Sequence, residues 1–337
     1  MDLMKILSAI AMCALTCSAA NFGYFTKHDA GQEVFSFLST FDSPRNAALE
    51  KSAAALPTTD PSITQLNPAA LLISEGKKRV AEAHWQTGEF ADHTGTLSYT
   101  TQFSKYLVQV SYNWISYGSI DGYNELGEPT GKEYKPLSQL ATATVAFPMK
   151  HIRFGVTMKF ASDNLTDDSG DQTAMAVAFD WGLTWMSDSK NYGFSFAARD
   201  FGAQIRGYVK NESDNSYALS QTFAFGGFLK PRNIPRLTLF AETDFPRYAE
   251  PDLNLGAEYA LGEYFRIRGG FTRTWLDLSR DIKSLASSAS RPDETNEARI
   301  FSLGLGYTSN LFAFDYAFSY LAESLGFEHR LGLRVEF

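Results

Sequence analysis

The stretch Leu311–Leu321, LFAFDYAFSYL, alternates along its whole length between aromatic and small or polar side chains. Successive side chains of a β-strand point to opposite faces, so this stretch predicts a strand with one aromatic face and one small, polar face. The aromatic face carries Phe312, Phe314, Tyr316, Phe318 and Tyr320, and the opposite face carries Ala313, Asp315, Ala317 and Ser319. This division is typical of a strand that has one face in lipid.

The last stretch of the chain, residues 327–337, shows the same alternation, with charges confined to one face. The apolar face carries His329, Leu331, Leu333, Val335 and Phe337, and the opposite face carries Glu328, Arg330, Gly332, Arg334 and Glu336. Charged side chains cannot face lipid, so the charged face is predicted to point away from it. A sandwich of two sheets would alternate in the same way, and the alternation alone leaves both folds open.

Strand length favours one of these two folds. Long alternating segments recur through the chain, among them Ile152–Phe160, Met175–Trp185 and Phe265–Trp275. A tilted strand crosses a bilayer in about nine to eleven residues, whereas strands of globular proteins run to roughly five or six. The segments therefore favour a barrel that spans a membrane.

Connections between the predicted strands alternate in length. Tight ones such as Ser104-Lys105 and Ser309-Asn310 are followed by long ones such as Ser116–Pro136 and Asp277–Glu297. Outer-membrane barrels have short periplasmic turns and long external loops. Closing the sheet also pairs every backbone donor and acceptor, as hydrocarbon requires. We therefore predict an all-β fold, a transmembrane antiparallel β-barrel of about 14 strands over residues 80–337.

The N-terminus has the features of a secretory signal peptide over residues 1–20. Lys5 precedes the apolar run Ile6–Leu15, which is followed by Ser18-Ala19-Ala20. Small residues at Ser18 and Ala20 fit cleavage after Ala20, and cleavage after Ala19 is nearly as consistent with the sequence. Export and a barrel together predict a protein of the cell outer membrane of a Gram-negative organism, in contact with outer-membrane lipid.

The two cysteines of the chain are Cys13 and Cys17, both inside this predicted signal. A lipoprotein is the weaker interpretation, because Met12 and Thr16 precede them where a lipidation site prefers Gly, Ala or Ser. The mature protein would then have neither a disulfide nor a metal bound by cysteine.

Composition excludes two further classes. No run of 18 apolar residues follows the signal, which argues against a transmembrane helix. The net charge is −8, and no cluster of Lys and Arg offers a surface for nucleic acid.

Parity along the strands predicts a set of charged side chains on the inward face. Their mixed signs suggest a lumen filled by salt bridges or a wet lumen, whereas a selective anion pore would need an excess of one sign at a constriction. These candidate lumen charges are Asp180, Arg199, Glu258, Arg266, Arg268, Asp315, Arg330 and Arg334.

Residues 21–79 lack the barrel pattern, and we interpret them as an N-terminal plug or periplasmic segment. Their motif residues are Phe37, Leu38, Ser43, Arg45, Asn67, Pro68 and Ala69. This spacing resembles the N-terminal signature of the PorV/PorQ family, which is related to the long-chain fatty-acid transporter barrels, and it is most similar to the PorQ branch. One departure is Glu50-Lys51, where that family commonly has Gly-Gly.

The resemblance implies a component of the type IX secretion system that helps to receive or anchor exported cargo with partner proteins. It implies no cofactor and no chemistry in the barrel itself. The external loops Ser116–Pro136 and Asp277–Glu297 would be the partner surfaces. Asn67 can hold a turn and Pro68 fixes the backbone beside it, so we expect both to be architectural.

The alternative function is a conduit for hydrophobic small molecules, like the fatty-acid transporters. The N-terminal segment would plug the lumen, and ligands would leave sideways through a kinked strand. Gly226-Gly227 or Gly269-Gly270 could supply the kink, although strand glycines more often mark bulges or close packing.

An enzyme is the least favoured class. None of the five histidines has a recognisable catalytic spacing with Ser and Asp, no histidine pair has metal-ligand spacing, and there is no phosphate-binding glycine loop. We therefore expect neither catalytic nor metal-binding residues.

Overall fold

The computed structural model describes residues 33–88, 91–124, 126–166, 171–210, 217–275, 277–279, 299–321 and 326–337. Fourteen antiparallel strands form a closed barrel, which confirms the predicted fold and strand number. The predicted signal peptide lies outside the described residues. Among those that are described, no helix is long and apolar enough to cross a membrane.

The barrel strands follow one another around the wall in chain order, with two further strands paired in a loop. The barrel strands are β1 (Arg79–Gly88), β2 (His93–Phe103), β3 (Tyr106–Ser116), β6 (Leu137–Pro148), β7 (Ile152–Asn164), β8 (Ala174–Met186), β9 (Tyr192–Arg206), β10 (Thr222–Leu229), β11 (Leu237–Pro246), β12 (Asp252–Leu261), β13 (Phe265–Thr274), β14 (Arg299–Thr308), β15 (Phe312–Leu321) and β16 (Phe327–Glu336). The paired strands in the loop are β4 (Ile120–Tyr123) and β5 (Pro129–Tyr134).

The two faces of the wall differ as the alternation predicts. In β15, Phe312 and Phe314 are 40% and 44% exposed, whereas Ala313 and Asp315 are buried. Large apolar side chains cover the outside of the barrel, including Leu97, Val110, Met158, Phe194, Phe225, Leu239, Leu255, Ile267, Leu303 and Leu331. An apolar outer surface of this kind faces lipid.

The barrel closes where its first and last strands meet. β1 pairs with β16 from Val80 opposite Glu336 to Gly88 opposite Glu328. The terminal Phe337 exchanges backbone hydrogen bonds with Arg79 at 2.9 and 3.0 Å. The C-terminal residue therefore completes the seam, and no strand edge of the barrel is left open.

Short and long connections lie at opposite ends of the barrel, as predicted. The long loop Ser116–Pro136 has secondary structure of its own. Residues 120–134 form the hairpin of β4 and β5, which belongs to a separate two-stranded sheet. We call the two ends of the barrel the short-turn end and the long-loop end.

A β-bulge interrupts the ladder between β8 and β9. The register shifts between Phe179 and Trp181, and Asp200 has a left-handed φ of 61°. Five consecutive residues, Ala197 to Phe201, are buried as a result. The extra residue turns both Arg199 and Asp200 inward, which strict alternation does not allow.

The glycine pairs proposed as a lateral kink lie in regular ladders. Gly226 pairs with Ser195 and Glu242, and Gly269 pairs with Ala257 and Leu303, with no shift in register. Neither pair opens the wall.

Candidate functional site

The described part of the chain before the barrel, residues 33–78, lies inside it. Residues 33–78, which we call the lumenal segment, contain the short helix α1 (Pro44–Ala48) and 3-10 helices at Ser36–Ser39, Pro61–Gln65 and Pro68–Ala70. They contact β1, β2, β6, β7, β8, β13, β14, β15 and β16. A segment that touches strands all around the wall occupies the lumen.

Three of these helices begin with the same local device. Ser43, Asp60 and Asn67 are N-caps, and each is followed by proline at the first helical position. The cap side chain satisfies a free backbone N–H, and proline presets the helical φ. Ser43 also donates to Asp60 at 2.5 Å, so two of the caps are linked.

Glycines of the inner wall make room for the lumenal segment. A side chain at Gly155 would overlap the Pro68 carbonyl group, and one at Gly182 would overlap the Asn67 amide. At Gly270 an added Cβ would lie 2.6 Å from the carbonyl carbon of Leu49. We call Gly155, Gly182, Gly256, Gly270 and Gly304 the cradle glycines, since each allows close approach of the segment.

The Asn67-Pro68-Ala69 motif is held by the short-turn half of the wall. The Asn67 amide donates to the Leu183 carbonyl at 3.3 Å and accepts from the Ala69 N–H at 2.9 Å. Arg153 donates to the carbonyl of Ala69 at 2.9 Å and to that of Leu71. Through these contacts, all three motif residues help to fix the lumenal segment to the wall.

Arg45 of the motif joins a chain of alternating charges on the opposite wall. It lies 3.5 Å from Glu258, which is paired with Arg268 at 2.7 Å. Arg268 also donates to Asp315 at 2.5 Å, and Arg334 lies 4.0 Å from the same carboxylate. The candidate lumen charges on this side are therefore paired.

A second charged group lies on β7, β8 and β9. The Lys159 ammonium is 2.7 Å from both Asp180 and Asp200, and all three residues are at most 3% exposed. Next to this group, Arg199 donates to Asp244 at 2.5 Å. Each positive charge here has a carboxylate partner.

Two candidate lumen charges remain. Arg330 pairs with Glu328 at 2.9 Å and donates to Gln86 at 2.7 Å, so it is part of the buried inner face. Arg266 lies at the short-turn end, is half-buried, and donates to the carbonyls of Glu263 and Phe265. Seven of the eight candidates are thus in ion pairs with inward-facing partners, as a lumen filled by salt bridges requires.

Spatial neighbours bring together a serine, a histidine and a carboxylate that are far apart in sequence. The Ser62 hydroxyl lies 2.7 Å from Glu82 and 2.8 Å from the Nε2 atom of His84. Ser62 is 3% exposed and belongs to the lumenal segment, whereas Glu82 and His84 are on β1. The group therefore ties the segment to the first strand. Sequence spacing gave no signal for it.

The long-loop end of the lumen is apolar. Phe35, Phe37, Leu38 and Phe41 of the lumenal segment pack against the wall in what we call the outer cluster. Its wall residues are Ile115, Leu140, Ala161, Ala174, Ala176 and Ala178, and Leu219 joins it from a loop. Small wall side chains leave the volume that the three phenylalanine rings fill.

Two features stand out in the outer cluster. Phe35 has a left-handed φ of 59°, an uncommon conformation for a bulky residue, and is 2% exposed. Its ring lies 6.0 Å from that of Tyr208, whose hydroxyl donates to Asp163 at 2.6 Å. Burial raises the pKa of Tyr208, and the hydrogen bond to Asp163 acts in the same direction.

The Glu50-Lys51 pair keeps the turn that glycines would make. Both residues have left-handed φ angles, 48° and 60°. Glu50 accepts from Ser302 at 2.5 Å, and Lys51 pairs with Asp42 at 3.2 Å. Side-chain contacts thus accompany a strained backbone at both positions.

No known protein-family profile matches the sequence, and no curated protein matches it. Solved structures show the same fold. The toluene transporter TbuX of Ralstonia pickettii is 13% identical, with a TM-score of 0.59 over 90% of this chain and 100% of its own. A ΔS2S3 mutant of the monoaromatic hydrocarbon channel TodX is 12% identical, with a TM-score of 0.58 over 88% and 98%. These likenesses establish an outer-membrane β-barrel fold.

Proposed function

We propose that the protein is an outer-membrane conduit for hydrophobic small molecules, with the lumenal segment as its gate. The observation that carries this proposal is the outer cluster. A packed apolar cluster at the long-loop end of a lumen whose deeper charges are paired is suited to receiving apolar ligands. Hydrophilic solutes would not be stabilised by these apolar contacts.

The charges deeper in the lumen support this function over an ion pore. They form pairs of opposite sign with each other, and little net field is left to select an ion. The similarity to TbuX and TodX, described as a toluene transporter and a monoaromatic hydrocarbon channel, supports the same ligand class.

The test is uptake of a monoaromatic hydrocarbon and of a long-chain fatty acid by a Gram-negative host that lacks its own conduits. We expect uptake to exceed that of the empty host. Replacing Phe37 and Phe41 by Ala should raise the uptake rate severalfold, because removing the two rings opens space within the outer cluster. Phe312→Ala and Phe314→Ala on the lipid-facing side provide the matched control. Uptake equal to that of the empty host for all variants would refute the conduit.

A second candidate function rests on the motif in the lumenal segment. Its similarity to the PorV/PorQ signature favours a type IX secretion role, in which partners and cargo would bind the external loops. A pull-down of the tagged barrel from its native host, compared with a deletion of residues 277–297, tests this role. Recovery of secretion proteins that depends on the loop would support it, and a barrel recovered alone with bound lipid would count against it.

A further inference from the structure

The two ends of the barrel carry opposite charge. Among the residues that the structure describes, the connections at the long-loop end contain seven acidic and four basic residues. The turns between strands at the short-turn end contain six basic residues against Asp188 and Glu263. The protein has a net charge of −8, but its short-turn end is positive.

The positive charges form a ring. Four of the six tight turns contribute a lysine: Lys105 between β2 and β3, Lys150 between β6 and β7, Lys190 between β8 and β9, and Lys230 between β10 and β11. Arg232, Arg236 and Arg266 extend the ring, and Lys78 and Arg79 complete it beside the seam. We call these nine residues the basic rim.

The basic rim is open to an external anion. Lys105, Lys150 and Lys190 are exposed, and among the described residues no carboxylate lies within ion-pair distance of them. Lys230 is half-buried. Burial lowers its pKa, and the like charge of Lys190 acts in the same direction against an opposing effect of Glu258. Lys190 and Lys230 repel each other, and a bound anion would relieve the repulsion.

Apolar side chains lie beside the basic rim on the outer surface. Phe103, two residues before Lys105, is 71% exposed, and Tyr264 and Phe265 beside Arg266 are 50% and 55% exposed. A belt of exposed aromatic residues next to basic residues is typical of a membrane–water interface, where the cations reach the headgroups.

We propose that the basic rim binds the headgroups of anionic phospholipids in the leaflet at the short-turn end. Lipid surrounds a barrel on all sides, as the ring does, whereas an acidic protein would meet one sector of it. Continuity with the apolar belt supports the same occupant, because one phospholipid can contact both surfaces. The acidic long-loop end would repel such headgroups, so the charge difference also orients the barrel.

The test compares phosphatidylglycerol with phosphatidylethanolamine on the full-length barrel in mild detergent. Equimolar lipids are added, and native mass spectrometry counts the molecules of each that stay bound. The rim variant is Lys105→Gln, Lys150→Gln and Lys190→Gln together. The matched control removes three charges at the other end, with Lys132→Gln, Lys135→Gln and Lys210→Gln. Far-ultraviolet circular dichroism and heat-modifiable gel migration establish that each variant is folded.

We expect the wild type and the control to retain phosphatidylglycerol in preference to phosphatidylethanolamine by about fivefold, the ratio that one favourable lysine contact gives. The rim variant should lose most of this preference, and 0.5 M salt should weaken it in the wild type by screening. Equal retention of the two lipids by the wild type would overturn the proposal. A preference that survives in the folded rim variant would overturn it as well.

Discussion

Gly155 on β7 lies directly against the backbone of Pro68, with no space for a side chain between them. The same relationship holds one strand further, where Gly182 faces the Asn67 amide. Asn67 and Pro68 are therefore fixed by two cradle glycines as well as by their own hydrogen bonds. The motif residues and the wall glycines are therefore complementary in shape.

Adding one methyl group to this contact should loosen the lumenal segment. We expect Gly155→Ala and Gly182→Ala each to lower the free energy of unfolding by about 1–3 kcal/mol, as overpacking does. Digestion of the segment by a protease should become faster. Gly227→Ala is the control, because its added Cβ would meet neighbours at an ordinary 3.5 Å. If all three variants behave alike, the glycines do not hold the segment.

In the Glu50-Lys51 turn, a glycine at either position relieves backbone strain but loses a side-chain contact. Lys51→Gly relieves a left-handed φ, a strain of about 1 kcal/mol, but leaves the buried Asp42 carboxylate without its ion pair, which costs about 1–3 kcal/mol. We expect a net loss of stability of up to about 2 kcal/mol.

Glu50→Gly relieves a similar strain but removes a buried carboxylate that accepts from Ser302. A hydrogen bond to a charged group contributes about 1.5–3 kcal/mol, so this variant should be less stable than the wild type by about 0.5–2 kcal/mol. Glu50→Ala keeps the strain, loses the bond and should be less stable still. Denaturant unfolding of the three proteins measures these losses, and a Glu50→Ala variant that is as stable as Glu50→Gly contradicts the account.

The chain of charges from Arg45 to Arg334 predicts unequal roles for its arginines. Arg268 pairs with both Glu258 and Asp315, so Arg268→Met leaves one partly buried and one buried carboxylate without their main partner and should cost about 3–5 kcal/mol. Arg45→Met leaves Glu258 paired with Arg268 and should cost only about 1–2 kcal/mol. Unfolding in urea gives both values. Equal losses would mean that the carboxylates do not depend on Arg268.

Alternation was sufficient to predict the wall, because lipid on one side and the lumen on the other impose a period of two on every strand. It placed Asp180 and Arg199 inward correctly. It could not place Asp200, whose inward direction comes from the bulge in β9. The bulge has Asp200 in a left-handed conformation, and an aspartate within an alternating strand does not by itself indicate such a bulge.

The interior of the barrel was less accessible to sequence reasoning. The motif around Asn67 indicated a fixed segment, but its partners are glycines more than 80 residues away, and a glycine in a strand carries no mark of what approaches it. The meeting of Ser62 with His84 was missed for the same reason. Such contacts depend on how the segment folds inside the lumen, where no short-range period applies.

The Lys159 ammonium, held between Asp180 and Asp200, supplies the last prediction. Lys159→Met would leave two carboxylates buried together without a cation, and we expect a loss of about 3–5 kcal/mol in the free energy of unfolding. Adding Asp180→Asn and Asp200→Asn to the same protein should restore part of the loss, because the uncompensated charges are then gone. Lys150→Met, at an exposed turn, should change stability by less than about 0.5 kcal/mol. Unfolding of all four proteins in vesicles gives the comparison. If the triple variant is no more stable than Lys159→Met, the loss comes from the packing of the lysine side chain and not from its charge.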